Sequence, residues 1–144
     1  MSKAFTYAQM IRICENLPIT ADSRGDHPSD YETLSEPEKA ALRHWIRGAI
    51  VYSPRYDTKH TSYGIKHDFE YEGFYITNGQ FKGAMLIEGH KLKNAHDLNW
   101  IFRIDKSITR TAYKRWQKED QYWRYSLGKF DKEFARLLVV AGYI

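Results

Sequence analysis

The sequence has one cysteine, Cys14, among its 144 residues, and it has no long apolar run. A single cysteine excludes an intramolecular disulfide and is typical of a protein from a reducing compartment. No stretch approaches the roughly 20 apolar residues that a membrane-spanning helix needs. Charges interrupt the apolar positions of residues 1–18, unlike those of a secretory signal. These absences predict a cytoplasmic protein with no membrane partner, and the length predicts a single domain.

The common catalytic motifs are also absent. The chain contains no G-x-x-x-x-G-K-[ST] phosphate loop, no G-x-G-x-x-G, no G-x-S-x-G and no H-E-x-x-H. Its acidic residues between positions 22 and 38 are strung along the chain, whereas a Mg²⁺-dependent nuclease needs clustered carboxylates. Cys14 lies on the apolar side of a helical pattern, where a buried thiol is the usual interpretation. We therefore expect no catalytic residues and no enzymatic activity.

The six histidines do not have the spacing of a metal site. No two of them are four residues apart, and there is no second cysteine. Two combinations remain open as structural zinc sites: His60 and His67 with Asp57 or Asp68, and Cys14 with His27. We expect no metal and no other cofactor.

The net charge of +4 is unevenly distributed. Residues 1–50 carry six Lys or Arg against seven Asp or Glu, whereas residues 51–144 carry sixteen against eleven. Residues 103–118 alone carry six basic residues and one acidic residue. Four of the basic residues recur every four positions and so share one face of a predicted helix: Lys106, Arg110, Lys114 and Lys118. Such a face suits nucleic-acid phosphates or an acidic protein surface, and the alternative is a merely solvated face.

The first half of the stretch 61–104 predicts two short helices. Thr61 or Ser62 begins the first, which ends near Gly73. A brief β-like run over 74–76 follows. Thr77 with Gln80 has the spacing of a capping box and opens a helix over 80–88, with its apolar side chains inward.

The second half of this stretch predicts a hairpin. Gly89 suits the left-handed position that ends a helix. A polar turn at 94–97 then separates residues 90–93 from a strand over 99–104, in which Trp100, Phe102 and Ile104 alternate with polar or outward positions. Helix, turn, helix and hairpin is the order of elements in a winged helix.

The flanking segments predict further helices. Residues 5–17 have helical apolar spacing, and residues 19–36 form a long polar connection. Ser35 with Glu38 opens an amphipathic helix. Two more helices are predicted, one over about 107–127 and one from Asp131. The fold class is therefore mainly α with a small β-hairpin: a winged-helix-like core with added N- and C-terminal helices. One domain, 1–144, would comprise N-terminal helices and an acidic loop (1–60), the winged-helix-like unit (61–104), and a basic helix with a C-terminal helix (105–144).

A winged helix would present its binding residues on the second helix and the hairpin. On the helix, Asn78, Gln80 and Lys82 are candidates for base or phosphate contacts, although Asn78 and Gln80 can equally build the cap. Lys91 and Lys93 flank the turn, where lysines also protect an edge strand from aggregation. The candidate partner- or nucleic-acid-binding residues are Asn78, Gln80, Lys82, Lys91, Lys93, Arg103, Lys106, Arg110, Lys114 and Lys118. The second helix has only one cation, so we expect the hairpin and the basic helix to contribute most of the binding.

Three runs carry a resemblance: T-S-Y-G-I-K-H-D-F-E, G-F-Y-I-T-N-G-Q-F-K-G-A-M-L and L-N-W-I-F-R-I. They resemble small uncharacterised proteins encoded by phages and mobile elements of Gram-positive bacteria. A related pattern, S-Y-x-L-K-H…Y-x-x-N-G, in which this chain has Ile65 at the leucine position, is similar to the winged-helix end of phage primase-type proteins. The resemblance covers residues 61–104, and the shared positions are Tyr63, Lys66, His67, Tyr75, Asn78, Gly79 and Ala84.

This resemblance implies a phage-type anti-defence protein in a bacterial host cell. Such proteins include anti-CRISPR inhibitors, so the expected partner is a host nucleic-acid-handling complex, most specifically a type II CRISPR effector nuclease with its guide RNA. One cluster would supply interface anchors, with part of it in the core: Trp116, Tyr122, Trp123, Arg124 and Tyr125. The alternative is a winged-helix regulator or replication accessory protein that binds double-stranded DNA.

Overall fold

A computed structural model describes residues 25–105 of the chain. In order, it contains a 3-10 helix Pro28–Thr33 and three α-helices, α1 Glu36–Ala49, α2 Ser62–Glu72 and α3 Asn78–Ile87. Helices make up 50% of these residues, which confirms the prediction of a mainly α chain. None of the helices in this part of the chain is long and apolar enough to cross a membrane. The helices predicted over 5–17, over about 107–127 and from Asp131 lie outside the described residues.

Helix α1 begins at the predicted capping box. The Ser35 hydroxyl accepts a hydrogen bond from the Glu38 amide at 3.3 Å, and the Glu38 carboxylate accepts one from the Ser35 amide at 2.9 Å. These two bonds satisfy amides that the first turn leaves without partners. The predicted apolar stripe is buried in full: Ala41, Leu42, Trp45, Ile46, Ala49 and Ile50.

Helix α2 is bounded by the predicted residues. The Thr61 hydroxyl caps its start, and the Gly73 amide at its end donates to the Phe69 carbonyl at 2.8 Å. Residues 74–76 make no β-bridge, so the predicted β-like run is wrong. These residues belong to a four-residue connection, 73–76, between the end of α2 and the Thr77 cap, and they pair with no other described segment.

Helix α3 starts two residues earlier than predicted and is the central helix of the core. Its capping box joins Thr77 and Gln80 through hydrogen bonds of 2.9 and 3.0 Å. At its end Gly89 has φ 88°, and the Gly89 and His90 amides donate to carbonyls of the last turn. This pairing is a Schellman motif. Nine of the ten α3 residues are buried, because the other elements pack around it.

Part of the predicted polar connection 19–36 is the 3-10 helix Pro28–Thr33. His27 caps the 3-10 helix, and Pro28 begins it with a φ suited to a first helical position. Tyr31 and Leu34 are buried. Their spacing of three residues places both on one face, because a 3-10 helix has three residues per turn. This face packs against α3.

The β-structure within residues 25–105 consists of three isolated antiparallel bridges that converge on residues 101–104. These bridges pair Tyr52 with Ile104, Thr61 with Ile101, and Leu92 with Phe102. The Leu92 bridge is flanked by hydrogen bonds from the Lys93 amide to the Ile101 carbonyl and from the Arg103 amide to the Lys91 carbonyl. The predicted alternation is confirmed, because Trp100, Phe102 and Ile104 are all buried.

Candidate binding surfaces

The first group of predicted residues lies at the start of α3, under the segment 25–33. The Asn78 side-chain amide lies 3.0 Å from an Asp26 carboxylate oxygen, 3.2 Å from the Leu98 carbonyl and 3.1 Å from the Asn99 side-chain oxygen. Both Asn78 and its helix neighbour Gly79 are buried. The polar side of Asn78 is therefore used to join three parts of the chain.

Lys82 and Gln80 are used in the same way. Lys82 is 3% exposed, its ammonium donates to the Asp26 carbonyl at 2.9 Å, and it lies 4.9 Å from the centre of the Trp100 ring. The Gln80 side chain accepts from the Thr77 amide and donates to the Thr33 hydroxyl at 2.8 Å. The alternative interpretation of Gln80 as a capping residue is confirmed. The placement of Asn78 and Lys82 argues against their predicted contacts with a partner, because their polar groups face the interior.

The second group of predicted residues is brought together on the surface. Lys91 and Lys93 are exposed, and Arg103 is half-buried with its guanidinium 4.9 Å from the centre of the Tyr56 ring. The backbone hydrogen bonds beside the Leu92 bridge fix these three residues relative to one another. We call Lys91, Lys93 and Arg103 the basic edge. The remaining candidates, Lys106, Arg110, Lys114 and Lys118, lie outside the described residues.

A further group of exposed residues lies on α2 and the loop after it. The sequence did not predict it as a binding surface. Tyr63, Tyr71 and Tyr75 are 50%, 90% and 74% exposed. Tyr63, His67 and Tyr71 are four residues apart and therefore share one helix face. The rings of Tyr63 and His67 meet edge to face, with their centres 4.5 Å apart.

Lys66 lies beneath these exposed side chains and contacts several of them. Its side chain is buried, and its ammonium lies 5.1 Å from the centre of the Tyr63 ring and 5.3 Å from that of Tyr75. The ammonium also donates to the Glu70 carboxylate at 2.6 Å, and the same carboxylate oxygen is 3.0 Å from the His67 ring. We call this group the tyrosine surface: Tyr63, Lys66, His67, Glu70, Tyr71 and Tyr75.

One signal in the sequence pointed to the tyrosine surface. Tyr63, Lys66, His67 and Tyr75 all fall on the shared pattern of the resemblance. The helix prediction instead placed Tyr63 among the apolar positions of α2, with Ile65 and Phe69. A tyrosine fits both interpretations, because its ring is apolar and its hydroxyl is polar.

A buried ionic group connects the end of α3 to α1. The Glu88 side chain is 7% exposed and receives the Arg43 and Arg47 Nε–H groups at 3.0 and 2.8 Å. Burial raises the pKa of the neighbouring Tyr31 to about 12, with Arg43 acting against the shift. Burial also lowers the pKa of His90 to about 4, although Glu88 opposes this change. Glu88 and Tyr31 have buried side chains, whereas Arg47 is exposed, and together these groups hold the end of α3 against α1.

The histidine combinations considered for zinc do not assemble in the part of the chain that the structure covers. His60 lies 2.8 Å from the Asp57 carboxylate, whereas His67 contacts Glu70. Among residues 25–105 no group of three or more His, Cys, Asp or Glu side chains is arranged to hold a metal ion. Cys14 lies outside these residues.

Comparisons with protein-family models, with curated proteins and with solved structures found no match to this chain. The tyrosine surface and the basic edge are therefore defined by their own geometry and chemistry.

Proposed function

We propose that this chain is a non-enzymatic binding protein that attaches to a host nucleic-acid-handling complex and inhibits it. The observation that carries the proposal is the tyrosine surface. It exposes three tyrosines on α2 and the loop after it, and it holds two of them, Tyr63 and Tyr75, in place through Lys66. Tyrosine is among the residues that dominate the binding energy of protein interfaces, and rings held in place lose little entropy on binding.

The most specific form of the proposal is an anti-CRISPR protein that acts on a type II CRISPR effector nuclease in a bacterial host cell. This target follows from the resemblance of residues 61–104 to proteins of phages and mobile elements. Two features of the chain support an inhibitor of this kind. The sequence lacks the common catalytic motifs, and the exposed aromatic residues suit stoichiometric binding. A fold does not fix a function, so an inhibition assay is needed to identify the target.

A winged-helix-like arrangement is part of the proposal. The order of the elements along the chain supports this arrangement: α1, the bridge at Tyr52, α2, α3, and then the paired residues 91–93 and 101–104. A winged helix that reads DNA places its recognition helix in the major groove. Here α3 is buried, and Asn78 and Lys82 are engaged within the chain. This burial favours binding to a protein over DNA reading by α3.

The second candidate function is a DNA-binding regulator or replication accessory protein. The basic edge favours it, because Lys91 and Lys93 are exposed on paired backbone segments beside Arg103. Cations in this position neutralise phosphates in a sequence-independent manner. Lys106, Arg110, Lys114 and Lys118 would extend such a surface if the predicted helix face forms.

The first experiment adds purified full-length protein to several type II effector–guide RNA complexes and measures DNA cleavage. We expect cleavage to fall as the protein reaches equimolar concentration. The double substitution Tyr71→Ala with Tyr75→Ala should restore cleavage, whereas Leu98→Ala, at another exposed apolar residue, should not. Undiminished cleavage with every effector at a large molar excess would rule out this target.

The second experiment measures binding of a DNA duplex over a range of salt concentrations. If the basic edge binds phosphates, the affinity falls steeply with salt, and Lys91→Glu with Lys93→Glu lowers both the affinity and the salt slope. Lys59→Glu, at an exposed lysine outside the basic edge, is the control. Lys82→Glu is unsuitable, because that side chain is buried. Absence of duplex binding at low salt would exclude the second function.

A further inference from the structure

Helix α2 is acidic as well as aromatic, because its sequence carries Lys66 against Asp68, Glu70 and Glu72. Lys66 is the one basic residue of α2, and its ammonium is buried against Glu70 and the two tyrosine rings. Asp68, on the same helix, is exposed. Helix α2 therefore exposes tyrosine rings and Asp68, with no accessible Lys or Arg among its residues.

This chemistry disfavours nucleic acid as the occupant. A phosphate group here would approach the exposed Asp68, while the Lys66 ammonium is buried and paired with Glu70 at 2.6 Å. Proteins that bind single strands through aromatic stacking combine their rings with a positively charged groove. Stacking alone would leave the phosphates beside carboxylates, an unfavourable arrangement.

Arginine side chains fit the same groups. A guanidinium is planar, stacks on a tyrosine ring, and forms two parallel hydrogen bonds to a carboxylate. The chain itself contains this contact, because the Arg103 guanidinium lies 4.9 Å from the centre of the Tyr56 ring. The tyrosines of the surface also already accept a cation, Lys66, at 5.1 and 5.3 Å.

We propose that the tyrosine surface, together with Asp68, binds an arginine-rich surface of the partner protein. This inference rests on the proposed function and names the chemistry of the partner. A protein that handles nucleic acid concentrates arginine and lysine where phosphates bind. The tyrosine surface would cover such a site, so this protein and the nucleic acid would compete for it.

The test measures binding of labelled nona-arginine and nona-lysine peptides to the full-length protein at about 150 mM salt, near the ionic strength that screens loose charge contacts. We expect the arginine peptide to bind roughly five-fold more tightly, because its guanidinium groups stack and lysine ammonium groups are more strongly hydrated. Tyr71→Ala with Tyr75→Ala should weaken arginine-peptide binding by about three- to ten-fold. Leu98→Ala is the matched control, since Leu98 is exposed and lies on a different loop.

A carboxylate pair completes the test. Asp68→Asn should weaken binding of the arginine peptide, whereas Asp97→Asn, also at an exposed aspartate, should leave it unchanged. Thermal melts verify that each variant is folded. Equal affinity for the two peptides, or equal affinity of the tyrosine variant and the unchanged protein, would overturn the inference.

Two other occupants would be recognised by separate measurements. If a 20-nucleotide single-stranded DNA binds and Tyr71→Ala with Tyr75→Ala abolishes this binding, the rings stack on bases and the inference is wrong. If sedimentation shows a dimer that the same substitutions dissociate, the occupant is a second copy of the chain and the inference is again overturned.

The cleavage assay separates this inference from the proposed function. Inhibition that the tyrosine variant retains in full would leave the proposed function standing and overturn the inference. Arginine-peptide binding that depends on Tyr71 and Tyr75, without inhibition of any effector, would support the surface chemistry and reject the target.

Discussion

Gly79 lies so close to the backbone of His27 that a Cβ atom at position 79 would overlap the His27 carbonyl oxygen. The Gly79 amide also donates to the Gly25 carbonyl at 2.8 Å. The absence of a side chain at this position thus lets the segment 25–27 lie directly against the start of α3. This contact places Asp26 within reach of Asn78 and Lys82.

Gly79→Ala should destabilise the protein. The new methyl group meets backbone atoms, which cannot rotate away, so we expect the free energy of unfolding to fall by roughly 2–4 kcal/mol. Gly64→Ala is the control, because Gly64 is an exposed α2 residue with nothing within 4 Å of a Cβ. That substitution should be neutral or stabilise by up to about 1 kcal/mol. Urea unfolding measures both, and equal effects would contradict the close contact.

The Asn78–Asp26 hydrogen bond should be visible in a double-mutant cycle. Asn78→Asp replaces a donor with a carboxylate that faces Asp26 and the Leu98 carbonyl, so we expect a loss of about 3 kcal/mol. Asp26→Asn should recover part of this loss, because its amide can donate to the new carboxylate. Chemical denaturation of the two single variants and the double variant measures the coupling. Additive effects would show that the two side chains do not interact.

The ionic group at Glu88 should contribute more stability than a surface pair. Glu88→Gln leaves Arg43 and Arg47 without their shared carboxylate, and we expect the free energy of unfolding to fall by about 1–3 kcal/mol. Glu36→Gln removes an exposed carboxylate paired with Lys39 and should change it by less than about 0.5 kcal/mol. Thermal and urea unfolding compare the two. A similar small effect in both would mean that solvent screens the Glu88 group.

His90 should make the protein less stable in mild acid. Its folded-state pKa is about 4, below the ordinary value of 6.5, so the unfolded chain takes up a proton between these values and the folded chain does not. Stability is therefore present above pH 6.5 and is lost as the pH falls toward 4, by up to about 3 kcal/mol.

The measurement is the free energy of unfolding at several pH values between 7 and 4. Carboxylates also titrate in this range, so the difference between the unchanged protein and His90→Gln isolates the histidine. His96→Gln, at an exposed histidine, is the control. Identical pH profiles for the unchanged protein and His90→Gln would contradict the lowered pKa.

The sequence by itself determined the starts of the three described α-helices to within two residues, although it did not predict the 3-10 helix. The Ser35–Glu38 and Thr77–Gln80 capping boxes, the Thr61 cap and the Gly89 stop all formed as predicted. Each of these signals depends on hydrogen bonds between residues a few positions apart, so the local sequence contains all the partners. The alternation of Trp100, Phe102 and Ile104 was predictable for the same reason, because side chains of an extended segment point to opposite sides.

Only the tertiary structure decided which polar side chains are exposed and which are buried. From its own helix, Lys82 is predicted to be a surface cation. It is buried because residues 25–27, more than fifty positions earlier in the chain, cover it. Tyr63 reads as an apolar helix residue, yet the buried Lys66 leaves its ring at the surface beside Tyr75. Burial is set by contacts between segments distant in sequence, and helical periodicity has no information about them. For that reason the tyrosine surface replaced Asn78 and Lys82 of α3 as a candidate site, although α3 itself begins within two residues of its predicted start.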